Sequence, residues 1–288
     1  MIELRKEGGE KQMDYQKAWE ELQIKDDFLF AKVMRDKKLC TSLLETLLGI
    51  KIQDIVYLEE DKKIDIKWDA KSVRLDVYVE DGNRVFNLEM QTTNEKNLPW
   101  RSRYYQGMID LNTIEKGESY RKLKESYVIF ICTFDPFDQG KARYTFENFC
   151  VEDKKLKLDD GTKKIFFNAK DYRNAEEEDV REFLRYVNGG ESDNAFVKKI
   201  ESRIEQIKAD KEWRREYMTL LMREAEIREE SWKKGMEEGM EKGMEKGMQE
   251  GIKGMVLVLK ELGVPKQTIL MQIQEKFHLS QEKASNYL

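Results

Sequence analysis

Residues 73–91 read Val-Arg-Leu-Asp-Val-Tyr-Val-Glu-Asp-Gly-Asn-Arg-Val-Phe-Asn-Leu-Glu-Met-Gln. Two β-prone arms flank an Asp-Gly-Asn turn, whose Gly and Asn accept the positive φ of a tight hairpin. Val73, Leu75, Val77 and Val79 alternate with Arg74, Asp76, Tyr78 and Glu80; Phe86, Leu88 and Met90 alternate with Val85, Asn87, Glu89 and Gln91. Successive strand side chains point to opposite faces, so one face is apolar and the other carries Asp76, Glu89 and Gln91. If Gly82-Asn83 forms the tip, Asp76 sits opposite Glu89, with Cβ atoms roughly 5 Å apart; if Asp81-Gly82 does, the pair is diagonal, at roughly 7 Å. A divalent cation can be shared in either register. The plain alternative is a solvated polar face. Against it stands the cost of placing like charges together with no cation or proton between them.

Composition restricts the chemistry. The chain has 57 acidic and 52 basic residues, a net charge of −5, so no global positive field draws in nucleic acid and any such binding is local. His278 is the only histidine and lies near the C-terminus, which excludes a multi-histidine metal centre and argues against a Ser-His-Asp triad. Cys40, Cys132 and Cys150 are odd in number and widely spaced, unlike a disulfide framework or a zinc cluster. The N-terminus lacks a signal-peptide core, and no run approaches membrane-span length. A cytoplasmic protein whose chemistry rests on carboxylates is expected, with no membrane partner.

Helical periodicity covers residues 14–49. Asp26 or Asp27 stands ready to cap the run Phe28, Phe30, Val33, Met34, and a second helix through Leu39, Leu43, Leu44 and Leu47 stops at Gly49. Strands are expected at 52–58, 63–69, 73–80 and 84–91. A helix opened by Pro99 follows over 99–115, then a buried strand over 127–134 and shorter strands near 143–149 and 165–168. This order predicts an α/β domain over 1–175. A highly charged helical region is expected over 176–254, with helices at 176–187 and 193–232 broken by Gly189-Gly190. Within it Gly235, Gly239, Gly243, Gly247 and Gly251 recur at a strict spacing of four, each followed by Met or Ile. Each glycine costs a helix roughly 1 kcal/mol relative to Ala. The stripe admits a closely approaching helix, which predicts a homo-oligomer through this C-terminal region; a helical linker is the alternative. Residues 255–288 predict a small helical tail, with breaks at Gly263-Val264-Pro265 and a cap at Ser280.

Several blocks together resemble the recombination-promoting nuclease/transposase (Rpn) family, within the PD-(D/E)XK nuclease superfamily. They are Lys25-Asp26-Asp27-Phe28-Leu29-Phe30 with Val33-Met34, Arg74-Leu75-Asp76-Val77, Asn87-Leu88-Glu89-Met90-Gln91, Arg101 through Tyr105, Gly117-Glu118-Ser119-Tyr120, Phe130 through Phe137, and Arg143 through Asn148. With the Gly-Met repeat they span roughly residues 20–255.

The resemblance implies a restriction-endonuclease-like core: a mixed sheet flanked by helices, here with a long charged helical C-terminal extension. It implies a metal-dependent endonuclease acting on double-stranded DNA with low sequence specificity, linked to recombination or mobile DNA. Asp76 matches the aspartate of the motif, although Leu75 stands where the motif has Pro. Glu89 matches the second acid, and Met90 lends its backbone carbonyl to the metal, Mg²⁺ or another divalent cation. Gln91 stands at the lysine position. It can orient water or phosphate through hydrogen bonds but brings no charge, which also fits a catalytically weak or inactive DNA-binding protein on the same fold. Arg101 and Tyr105, one helical turn apart, are candidate substrate contacts, with Arg101 able to supply the missing charge. Asp27 is a possible additional acid ligand, with helix capping as its alternative role; Glu45 is a weaker candidate.

Overall fold

A computed structural model describes residues 15–64 and 73–288. Six strands form one mixed sheet. They are β1 (Tyr57–Ile64), β2 (Val73–Glu80), β3 (Arg84–Gln91), β4 (Glu125–Cys132), β5 (Arg143–Phe146) and β6 (Thr162–Asn168), in spatial order β1-β2-β3-β4-β6-β5. The first three run antiparallel to one another, β4 is parallel to both β3 and β6, and β5 closes the edge antiparallel to β6. A parallel β3–β4 pair needs a crossover, and helix α4 (Leu98–Thr113) supplies it.

The hairpin register is the one with Gly82-Asn83 at the tip. Val77 pairs with Leu88 and Val79 with Phe86, and the Asp81 N–H donates to the Arg84 carbonyl at 3.1 Å. Gly82 alone takes positive φ, at 71°, the pattern of a II′ turn. Asp81 is buried and fixes the corner: its carboxylate accepts from Arg84 Nε at 3.0 Å and from the Gln53 N–H at 3.1 Å.

Both faces of the central strand β3 are covered, because every residue from Val85 to Met90 is buried. Leu98, Met108 and Ile109 of α4 share a core cluster with Val128, Phe130 and Cys132 of β4. Helix α2 (Asp27–Met34) contacts β1, β2 and β3. Around it lie α3 (Lys37–Leu48), α5 (Glu178–Val187) and α6 (Ala195–Ala209), with the short α1 (Tyr15–Glu20) ahead of it in the chain. Helix α3 shows how local sequence sets its ends. The Asp36 side chain accepts from the N–H groups of Lys38 and Leu39, and Gly49 closes the helix at φ 65°.

Two sequence expectations are corrected. In place of the strand expected at 52–58 there is β1, which begins only at Tyr57 and runs to Ile64, and residues 65–69 of the second expected strand lie outside the described residues. Residues 51–55 stay irregular because side chains satisfy their backbone: Glu45 accepts from Ile52 N–H, Asp81 from Gln53 N–H, and Lys37 and Arg84 donate to the carbonyls of Ile55 and Lys51. The helix expected over 193–232 breaks at Asp210, whose extended backbone ends α6 and whose carboxylate accepts from the Glu212 N–H at 2.7 Å, opening α7 (Lys211–Glu261).

The chain divides into two compact units, one running to Tyr217 and the other covering Met218–Leu288. The first includes α5 and α6, which bury Phe183, Leu184, Val197 and Ile200. It also holds the first turns of α7, where the buried Lys32 ammonium lies 4.7 Å from the Trp213 ring centroid and 3.1 Å from Glu216. In the second unit, Ile252 and Val256 of α7 form a small core with Ile269 and Ile273 of α8 (Lys266–Phe277) and Ala284 of α9 (Gln281–Ser285). Gly263 at φ 75° and Pro265 separate the first two, and the Ser280 hydroxyl caps the last. Among the described residues no helix is long and apolar enough to cross a membrane.

Candidate active site

The hairpin ladder between β2 and β3 runs from Glu80↔Val85 to Val77↔Leu88. One step further, where Asp76 and Glu89 face each other, side chains take up backbone donors. The Asp76 N–H donates to Glu89 Oε1 at 3.3 Å, and the Met90 N–H donates to Asp76 Oδ2 at 3.0 Å. The two carboxylates are thus locked to each other's strands at the point where β2 and β3 part. Asp76 is half-buried and Glu89 is 2% exposed, so the polar face is not a solvated one.

Asn87, two residues before Glu89 on the same face, donates from Nδ2 to Glu89 Oε1 at 3.0 Å. It is fully buried and its Oδ1 has no hydrogen-bond partner. Sequence reasoning placed Asn87 on this face without assigning it to the site; its i,i+2 spacing from Glu89 is the signal that could have done so. The Asp76 N–H and Asn87 Nδ2 both bond Oε1, and Arg101 Nη2 lies 3.5 Å from the other oxygen, Oε2.

Helix α4 delivers Arg101 and Tyr105. It is tied to β4 by Gln106, whose Nε2 donates to Ser126 Oγ at 2.6 Å. Arg101 Nη1 donates to Gln91 Oε1 at 2.6 Å and Nη2 donates to Tyr105 Oη at 2.9 Å. The guanidinium also lies over the Phe130 ring, 5.6 Å from its centroid; the β3–β4 register sets Phe130 beside Glu89. Gln91 Nε2 donates to the Thr93 carbonyl at 2.7 Å, so both ends of its amide are engaged within the chain.

Charge follows from this packing. Burial, and next the Asp76 carboxylate, push the Glu89 carboxyl well above the ordinary carboxylate range, against the opposing effects of Asn87 and Arg101. Burial, followed by Glu89, raises the Tyr105 hydroxyl to about 12, so at neutral pH it is a neutral donor and acceptor. A cation between Asp76 and Glu89 relieves the cost of ionising both. The available donors are hard oxygens, two carboxylates and the Met90 carbonyl, which suit Mg²⁺ or a similar ion that keeps several waters.

Asp27 is the exposed first residue of α2, and Asp26, at the N-cap position, turns its carboxylate back to the Gln23 N–H at 2.6 Å. Among the described residues no three His, Cys, Asp or Glu side chains are grouped to hold one ion, so Asp27 does not form a ready three-acid cluster with Asp76 and Glu89. Glu45 is occupied by the Ile52 N–H and by Lys51 at 3.6 Å.

No curated protein and no solved structure matches this chain. A family model described as PD-(D/E)XK nuclease family transposase matches residues 25–242. The matched span takes in the whole sheet, both carboxylates and α4, and it is well over half of the 288 residues; the chain belongs to the PD-(D/E)XK nuclease family transposases.

Proposed function

We propose that the chain is a metal-dependent DNA endonuclease that hydrolyses phosphodiester bonds with low sequence specificity, in the setting of recombination or mobile DNA, in the cytoplasm. The observation that carries this reading is the Asp76–Glu89 pair at the fork of β2 and β3, with Glu89 buried and Arg101 held beside it. Asp76 and Glu89 would hold Mg²⁺ with the Met90 carbonyl. The ion supplies Lewis acidity for the attacking water and the scissile phosphate. The Asp76 and Asn87 donors to Oε1 orient the Glu89 carboxylate. Arg101 contributes the positive charge that a lysine at position 91 would have brought, and its guanidinium fork suits phosphate oxygens. Gln91 acts by aiming Arg101, since its amide already bonds Thr93 and the guanidinium. Tyr105 braces the same guanidinium from the next turn.

A second reading, a DNA-binding protein with weak or no cleavage, is favoured by the uncharged Gln91. Titration calorimetry with Mg²⁺ and Mn²⁺ separates the site from its absence. The expected outcome is one saturable site per chain that is lost in Asp76→Ala, with nicking abolished by EDTA; metal binding unchanged by that substitution contradicts the assignment. DNA binding that weakens with salt, without cleavage in any divalent metal, supports the second reading.

The Gly-Met stripe supports self-association. A Cβ added at Gly235, Gly239, Gly243, Gly247 or Gly251 meets nothing within 4 Å, so no contact among the described residues calls for glycine there. Met240 and Met244 beside them are each 70% exposed. A second copy crossing along this stripe would use both, and paired copies would present two sites to the two strands of a duplex.

A further inference from the structure

We infer that the outward face of α4 is a stacking platform for unpaired bases, so that the preferred substrate is DNA in which a duplex opens into a single strand. This rests on the nuclease reading above and names its substrate class. Trp100 is 63% exposed and Tyr104 41%, and Arg103, Gly107 and Leu111 are exposed with them. Positions 100, 103, 104, 107 and 111 recur at helical spacing and form one stripe. The buried face of the helix, Leu98, Ser102, Gln106 and Ile109, is turned the other way.

The stripe lies beside the candidate active site. Each residue advances about 100° around a helix, so Arg101 and Tyr105 form the neighbouring stripe, one step round from Trp100 and Tyr104. A strand laid along the two aromatics therefore runs next to the guanidinium that lies 3.5 Å from Glu89. Arginines flank the aromatics on both sides: Arg101 towards the site and Arg103 away from it. From Leu98 to Ile109 the helix carries no acidic residue, in a chain whose net charge is −5. This is the local charge complementarity that an acidic protein needs to engage a polyanion. At Gly107 a Cβ would meet nothing within 4 Å, so no contact among the described residues calls for glycine there.

The aromatics decide between duplex and single strand. Arginine reads the phosphates of either form. Base faces, however, are buried in a duplex and reach Trp or Tyr only where the strands have parted. Two aromatics one turn apart, about 6 Å along the helix axis, can each take a base from a splayed strand.

The test is binding by the full chain in EDTA, which separates docking from cleavage. Fluorescence anisotropy compares a blunt duplex with the same duplex carrying a single-stranded extension. The wild type should bind the extended DNA about tenfold tighter or more. Trp100→Ala and Tyr104→Ala should each remove most of that difference while leaving the blunt duplex unchanged, and Trp100→Phe should retain it. Equal affinity of the wild type for the two DNAs overturns the inference, as does a loss in Tyr104→Ala that is the same for both. If the binding pattern holds while no metal supports nicking, the nuclease reading fails and the platform stands. Nicking together with equal binding removes only the platform.

Discussion

Glu89 concentrates the electrostatics of the site in one side chain. Its carboxyl is raised in the folded chain by burial first and by Asp76 second. A raised folded value means that the folded state binds the proton more tightly. The stability this group contributes is therefore complete below the unfolded carboxylate range, about 4.3, and is lost as pH rises through the folded value. Carboxylates such as Asp135, lowered in the fold by hydrogen bonds from Phe137, Tyr144 and Gly140 that outweigh burial, act in the opposite sense. Comparison with a Glu89→Gln chain isolates the effect. In EDTA, the melting temperature of the wild type should fall relative to Glu89→Gln as pH rises from the carboxylate range towards neutrality. Added Mg²⁺ should recover the wild type and not the variant, because the ion binds the ionised pair. Thermal melts across that window check both statements. At this scale the sequence was partly legible. The alternation placed Asp76, Asn87, Glu89 and Gln91 on one face, but nothing in the residue types announced that α4 would fold over that face and bury Glu89.

At the scale of elements, α4 and α7 carry the exposed stripes of the molecule. Helix α4 is a crossover whose inner face is core, whose flank reaches the site and whose outer face is aromatic and basic. Helix α7 is 51 residues long, and most of its repeat is exposed. If the glycine stripe is a contact surface, its value lies in close approach. Changing Gly239, Gly243 and Gly247 to Ala should raise helix stability by roughly 1 kcal/mol at each position and at the same time lower the mass of the particle in solution. Circular dichroism melts and light scattering on the same samples read the two effects. Higher helicity with unchanged mass would assign the repeat to a linker. The pattern of four was plain in the sequence. The break at Asp210 was not, since Ala209-Asp210-Lys211 reads as helix until the Asp210 carboxylate is seen accepting the N–H groups that open α7.

At the scale of the whole molecule, a mixed six-stranded sheet brings two strand ends and one crossover helix to a single point. The hairpin, the buried strand β4 and the helix between them were legible because each has a local signature: a Gly turn, an uninterrupted apolar run, and a Pro-led start; that β4 runs parallel to β3 was not. The first strand was harder to read. Ile52 and Ile55 suit a strand, yet the backbone around them is taken by Glu45, Lys37, Asp81 and Arg84, and the last three lie 18 to 33 residues away in sequence. The proposed metal site of a phosphodiesterase, Asp76 with Glu89, is tested most directly by the nicking rate of supercoiled plasmid in Mg²⁺, wild type against Asp76→Ala. Nicking by the wild type and a loss of at least a hundredfold in the variant, about 2.7 kcal/mol of transition-state stabilisation, are expected; equal nicking by the two proteins would overturn the assignment.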